Sequence, residues 1–215
     1  MKVVITGASN GIGKACADKF LANNHIVHGI DIAVSSIFQD NYTHHQVDVR
    51  DKYYFPIIPD VDILINSAGI QCGDCIGTNL KGLINTTEVY GLQPNIKSIC
   101  NMASVSAHNG AEFPEYTASK GGVLAYTKWT AKQIAKYGAT CNSISFGGVK
   151  TQLNCTVMHD SDKWAEIMSM TPLKKWAEPE ECAEWVYFLT VVNRSCSGQD
   201  IIVDNLEMLN HKFVW

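Results

Sequence analysis

Residues 2–13, KVVITGASNGIG, decide the fold. A β-branched run from Lys2 to Thr6 meets a turn holding Gly7, Gly11 and Gly13, and a helical pattern, GKACADKFLANN over 13–24, follows at once. The G-x-x-x-G-x-G spacing differs from the commoner G-x-G-x-x-G, but the physics is shared. Both give a tight turn, a backbone that can approach a pyrophosphate, and a helix start whose free N–H groups face it. Glycines alone are a weak signal, because turns are rich in them; the position between a strand and a helix is the confirming context. Nucleotide binding is therefore expected here.

Working outward, HIVHGID over 25–31 reads as a second strand ending on Asp31. An acid there can accept hydrogen bonds from both adenosine ribose hydroxyls and repel a 2′-phosphate. The following residues, DIAVSS, offer no lysine or arginine, and Asn10 in the glycine loop is uncharged, so NAD is expected over NADP. The plainer reading is that Asp31 caps a loop. Further strands are expected at HHQVDV (44–49), VDILINSAG (61–69), IKSICNMAS (96–104), TCNSISFGG (140–148) and QDIIVD (199–204). Helices are expected over 77–91, from about Pro114 to Tyr137, and over roughly 160–170 and 178–192. Continuous apolar strands alternating with helices predict a Rossmann-like, doubly wound parallel β-sheet with helices on both faces. Its ligand belongs beyond the carboxyl ends of the strands. With no repeat, low-complexity tract or linker, residues 1–215 read as one domain.

Composition narrows the function. Of the 215 residues 46% are hydrophobic and 18% charged, which suits a globular chain, and a net charge of −4 gives no electrostatic reason for a nucleic-acid partner. No apolar run approaches a membrane span, and MKVVITGAS lacks the apolar stretch and cleavage site of a signal peptide. A cytoplasmic location, with the eight cysteines reduced and mostly buried, is the expectation. Cys72 and Cys75 have the C-x-x-C spacing of redox and zinc motifs, but no second pair completes a four-thiolate site. A structural role is favoured and no metal is expected.

A second stretch, EYTASKGG over 115–122, carries the chemistry. Tyr116 and Lys120 stand one helical turn apart on the same face. A free phenol has a pKa near 10, too high for an efficient base at neutral pH. A positive charge about 4 Å away at an effective dielectric near 20 contributes roughly 4 kcal/mol, enough to bring it into the working range. Read alone, the pair is equally an exposed lysine beside a half-buried ring. Gly121 and Gly122 each cost a helix about 1 kcal/mol relative to alanine. Close packing of another backbone or subunit would explain them.

Together these residues resemble the short-chain dehydrogenase/reductase family. The matching pieces run in order: TGASNGIG, Asp31, VDV (47–49), NSAG (66–69), NLKG around Asn79, Ser104 in NMASVS, YTASK (116–120), NSISFGGVKT (142–151) and SGQDIIVDN (197–205). The resemblance implies hydride transfer between a nicotinamide and an alcohol or carbonyl carbon, in a homodimer or homotetramer. Tyr116 is implied as general acid and base, Ser104 as the donor to the substrate oxygen, Lys120 as partner of the phenol and the nicotinamide ribose, and Asn79 as holder of a relay water. The cofactor residues implied are Gly7, Ser9, Asn10, Gly11, Ile12, Gly13, Asp31, Asp48, Val49, Asn66, Ala68, Gly69, Tyr116, Lys120, Val149 and Thr151. Asp48 and Val49 belong to the adenine, and Val149 and Thr151 to the carboxamide.

The chain departs from the family pattern in three places. There is room for little or no helix between Asp31 and the third strand, and the helix carrying Asn79 must start late. Phe146 stands where the family has proline, so its ring is expected to reshape the wall beside the nicotinamide. The tail, NHKFVW, is aromatic, which suggests docking, although single exposed aromatics are ordinary. Substrate choice is assigned to 106–115, with His108, Asn109, Glu112 and Phe113, and to a Met- and Trp-containing segment, 152–176. These residues equally serve packing, and no substrate is named. Two rival readings remain. A redox-sensing dinucleotide module has no need of Ser104, Tyr116 and Lys120, and a sugar-nucleotide epimerase needs more chain after the sixth strand than is present.

Overall fold

The alternation seen in the sequence becomes a two-sided sheet in the computed structural model, which describes residues 1–209; the tail NHKFVW lies outside them. The elements run β1 Lys2–Thr6, α1 Gly11–Ala22, β2 Ile26–Asp31, β3 Tyr42–Gln46, β4 Ile63–Asn66, then a helix α2 over 76–91. After it come β5 Ser98–Ser104, α3 Ser106–Asn109, α4 Pro114–Ile134, β6 Thr140–Phe146, α5 Cys155–Met158, α6 Ser161–Met170, α7 Pro179–Tyr187 and β7 Asp200–Val203. All strands pair in parallel, in the order β3-β2-β1-β4-β5-β6-β7.

Period-two geometry explains why the strands are apolar throughout. Val3, Ile5, Ile65, Cys100 and Ile144 join one buried cluster with Phe20 of α1 and Val186 of α7. Val4, Leu64, Ile99 and Cys141, from the same strands, join a second with Tyr90 of α2 and Ile134 of α4. Burial pushes the thiols of Cys16, Cys100, Cys141 and Cys182 upward, so these side chains serve as small hydrophobes.

The order in which strands are laid down reverses between the parallel neighbours β1 and β4, which puts the switch point beside the glycine loop. Gly7 has φ +69°, and a Cβ there would lie 2.9 Å from the Ala68 backbone. Thr6 Oγ1 accepts the backbone N–H groups of Ser67 and Ala68, each at 3.1 Å, tying together the two turns that follow β1 and β4.

Two expectations need correction, and one left open is resolved. The third strand is Tyr42–Gln46 and not 44–49, because its partner β2 ends at Asp31, which pairs Gln46. Beyond it the chain turns on Asp48, whose side chain accepts the Arg50 N–H at 2.9 Å. Phe146 does not line the site: its ring is 5% exposed and belongs to the first core cluster. Of the neighbours that the sequence left open for Gly122, another part of the chain or a subunit, the structure shows the first. A Cβ there would come 2.6 Å from Leu80 of α2, whereas nothing lies within 4 Å at Gly121.

Residues 32–41 carry no helix, and α2 begins only at Ile76, both as the shortened sequence implies. The pieces Ile76–Gly82 and Thr87–Gly91 of α2 are wound with wide i→i+5 turns around an ordinary α-helical turn, Leu83–Thr86. No helix among the described residues is long and apolar enough to cross a membrane.

Candidate active site

Ser104 ends β5, and Tyr116 and Lys120 project from the first two turns of α4, which begins with Pro114 at a position where its missing N–H costs nothing. All three are buried, at 4%, 9% and 6% exposure. Lys120 Nζ lies 5.6 Å from the Tyr116 ring centroid, and Ser104 stands close enough to act on the Tyr116 phenol. Lys120 donates to the Met102 carbonyl at 2.8 Å. Gly69 closes over this group: a Cβ there would be 3.4 Å from Asn79 Oδ1 and 3.6 Å from Lys120 Nζ. The sequence neighbours at i and i+4 thus become spatial neighbours, with Ser104 and Asn79 brought to them by the sheet and α2.

The electrostatics differ from the expected simple depression of the phenol. Burial, reinforced by the nearby Glu112 carboxylate, pushes Tyr116 up to about 12, against the hydrogen bond from Ser104. Burial also brings Lys120 down to about 8, with Glu112 pulling the other way. Desolvation therefore outweighs the phenol–ammonium attraction in the site as the protein alone builds it. A lysine poised near neutrality is well suited to passing protons.

Asn79 is 1% exposed, and its amide is fully engaged: Nδ2 donates to the Ile70 carbonyl (2.9 Å) and Ser119 Oγ (3.0 Å), and Oδ1 accepts the Ile70 N–H (2.8 Å). It locks the turn after β4 onto α4. Asn66 is similarly committed, donating to Thr87 and Asn101 and accepting from Thr86 at 2.6 Å, so only its backbone is left for a ligand.

The residues expected to hold a dinucleotide lie at the switch-point end of the sheet. Asn10 caps α1 with extended backbone and no side-chain bond, and the first turn of α1 carries no acid, which leaves its N–H groups available to an anion. Beside it Asn10, Gly11, Lys14 and Thr151 line a cavity of about 250 Å³. Asp31 accepts the Ser9 N–H and the Ala33 N–H, each at 2.9 Å, so its carboxylate both staples the glycine loop to the loop after β2 and stands at the strand end. The loop-capping reading of Asp31 is thus what these bonds show. Asp48 is gripped by Arg50, whose Nη2 lies 2.6 Å away, and this hydrogen bonding holds the carboxyl below the usual range. Asp48, Val47 and Tyr54 line a second cavity of about 540 Å³. The Val149 carbonyl accepts from Thr151 N (2.9 Å) and Asn154 Nδ2 (2.9 Å), and Val149 bridges Ala177. These donors, dipoles and close-approach glycines fit a dinucleotide.

Three further acidic or thiol side chains act near the site. Glu112, exposed between α3 and α4, is close enough for its charge to act on Tyr116 and Lys120. Cys75, 2% exposed and hydrogen-bonded to the Ile70 carbonyl at 3.6 Å, lies within electrostatic range of Tyr116 and Lys120. Glu207 accepts the Gly148 N–H (3.1 Å) and the Thr171 hydroxyl (3.4 Å), fastening the 152–176 segment, in which Trp164 and Trp176 meet edge to face. No group of three potential metal ligands occurs among the described residues.

A family profile described as enoyl-(acyl carrier protein) reductase matches residues 56–205. Among relatives, the chain is 28% identical to carbonyl reductase family member 4 of Xenopus laevis, over 93% of this chain and 94% of that one. A solved 4-hydroxyisoleucine dehydrogenase complexed with NADH superposes with a TM-score of 0.87 at 26% identity, covering 98% of this chain and 99% of that one. ElxO with NADP bound is similar in fold, with a TM-score of 0.85 at 23% identity over 97% and 98% of the two chains.

Proposed function

Because the chain belongs to the short-chain dehydrogenase/reductase family and is an oxidoreductase of alcohols and carbonyl compounds, we propose that it is an NAD(H)-dependent enzyme using Tyr116 as general acid and base. The observation that carries this is the buried Tyr116, with Lys120 Nζ 5.6 Å from its ring centroid and the buried Ser104 close enough to act on its phenol. In oxidation the alcohol carbon loses a hydride and its oxygen a proton; reduction reverses both. When bound, the nicotinamide accepts or supplies the hydride. Tyr116 Oη exchanges the proton with the substrate oxygen, and Ser104 orients that oxygen and excludes water from it. Lys120, brought down to about 8, resupplies the phenol and supports its ionised form. Asn79 holds the Gly69–Ile70 turn against this pair.

In one dinucleotide-binding domain the cofactor would be held by Gly7, Ser9, Asn10, Gly11, Ile12 and Gly13 at the α1 N-terminus and by Asp31 at the ribose. Asp48, Val49 and the backbone of Asn66, Ala68 and Gly69 would follow the adenosine, with Val149 and Thr151 toward the carboxamide. The fixed Asp31 carboxylate disfavours a 2′-phosphate, which makes NADH the preferred cofactor. Trp129, 45% exposed on α4, and the open space at Gly121 about two turns earlier on the same helix support a homodimer or homotetramer. The test is oxidation of NADH and NADPH against ketones, aldehydes and sugars, with Tyr116→Phe alongside. Turnover with NADH that the variant loses is expected; an unchanged Tyr116→Phe rate would overturn the reading.

A further inference from the structure

In the proposed chemistry Ser104 gives its hydroxyl proton to the substrate oxygen, yet a serine side chain can turn among three staggered positions. A backbone group holds it in one. The Ser106 N–H donates to Ser104 Oγ at 3.2 Å, and both residues are buried. A hydroxyl that accepts there keeps its single proton for another partner. Ser106 opens α3, so its N–H has no carbonyl within the helix to bond and is free for this use. The position of α3 thereby decides where the Ser104 proton points.

A helix of a single turn does not stand on propensity and needs an anchor elsewhere in the fold. Among the described residues, His108 is the α3 side chain that hydrogen-bonds another element: Nε2 lies 2.8 Å from Asp200 Oδ2 and 3.1 Å from Ser145 Oγ. Ser106 Oγ has no partner, and Asn109 Oδ1 serves only the nearby Ala111 N–H at 3.0 Å. The receiving end is polar where a core residue would otherwise pack. Ser143 and Ser145 are buried on one face of β6, while Ile144 between them joins the first core cluster on the other. Asp200 of β7, in register with Ser143, accepts its hydroxyl on Oδ1 at 2.6 Å and turns Oδ2 to His108. A carboxylate only accepts, so the imidazole carries its proton on Nε2. Buried hydroxyls and a carboxylate on two sheet strands are thus satisfied by one imidazole, and α3 is tied to the rigid part of the molecule.

We propose that His108 is a positioning residue for this reaction: held on Asp200 and Ser145, it fixes α3 so that the Ser106 N–H orients Ser104 Oγ and leaves the hydroxyl proton to the substrate oxygen. The proposal rests on the oxidoreductase reading, and the experiment separates the two. His108→Gln keeps an N–H donor at the reach of Nε2, whereas His108→Asn ends one methylene short. Both are compared with wild type for turnover of NADH, using whichever of a panel of ketones, aldehydes and sugars (cyclohexanone, benzaldehyde and glucose among them) wild type reduces fastest. His108→Asn should lower kcat by about 10–100-fold while NADH affinity and melting temperature hold. His108→Gln should return kcat to within about threefold of wild type. In a Ser104→Ala background, His108→Asn should change kcat by less than about twofold, because the group it positions is gone. Hydrogen exchange at the Ser106 amide, which needs no substrate, should be about tenfold or more faster in His108→Asn than in wild type or His108→Gln. An unchanged kcat in His108→Asn, equal loss in both amides, additivity with Ser104→Ala, NADH affinity lost in step with activity, or unchanged Ser106 exchange would each overturn the proposal. Wild type that turns over none of the panel would instead overturn the oxidoreductase reading, and Ser106 exchange would still decide whether His108 holds α3.

Discussion

At the scale of single residues, the site trades stability for chemistry, and Lys120 shows how much. Moving its pKa from 10.5 to about 8 means that the buried ammonium is disfavoured by on the order of 3 kcal/mol. Lys120→Met should therefore abolish turnover while leaving the melting temperature at neutral pH equal or higher. The sign can be checked by titration. Between about pH 8 and 10.5 the unfolded chain holds a proton on this lysine that the folded chain has released, so Lys120 makes stability rise with pH across that window. Urea melts over this range should show a steeper rise for wild type than for Lys120→Met; equal slopes would remove the buried cation from the account. Tyr116→Phe keeps the ring and loses the proton: turnover should drop by about 10²–10⁴-fold with NADH binding retained. The Tyr116–Lys120 pair was legible in the sequence because four residues of helix bring it together locally. The C-x-x-C spacing marked Cys75 but not its nearness to the pair, since that depends on how its turn folds back through the contact with Ile70.

At the scale of elements, the two glycines of α4 separate into different roles. Gly121 has open space around it, so Gly121→Ala should gain helix propensity and stabilise the isolated protomer by about 0.5–1 kcal/mol. Gly122→Ala gains the same propensity but presses on Leu80, so little net change is expected, and Gly122→Val should destabilise. Thermal melts of the three variants check this. A loss of stability with Gly121→Ala at high protein concentration alone would place the open face in a subunit contact. The sequence announced the pair of glycines but not which neighbour either one met, because the answer lies forty residues away in α2. Strand existence was similarly clear from apolar runs, whereas the β3 boundary was set by where β2 stops, and periodicity within one segment carries no such information. Phe146 follows the same logic: the family pattern marks its position, and the core contacts of β6 decide where its ring goes.

At the scale of the whole molecule, cofactor binding should be visible as stability. The first turns after β1, β2 and β4 converge at the switch point through Thr6, Asp31 and Gly7. A dinucleotide seated across them binds the folded chain alone. At about a hundred times its Kd, NADH should add about 2.7 kcal/mol, which for a domain of this size raises the melting temperature by roughly 5–10 °C. NADPH at the same concentration should raise it less, and Asp31→Ala should narrow the difference; a larger shift with NADPH would overturn the assignment of Asp31. The parallel topology was legible from the order of strands and helices. The clasp made by Glu207 was not, because a lone acid near the end of a chain has no pattern to mark it.

That clasp also bears on the order in which the protein comes into being. Gly148 and Thr171 wait for Glu207, and β7 for its place beside β6, until residues 200–207 have been synthesised. The half built from β1 to β4 is available to fold much earlier. On the ribosome, then, the glycine loop and the turns that meet it can form before the 152–176 segment is fastened down.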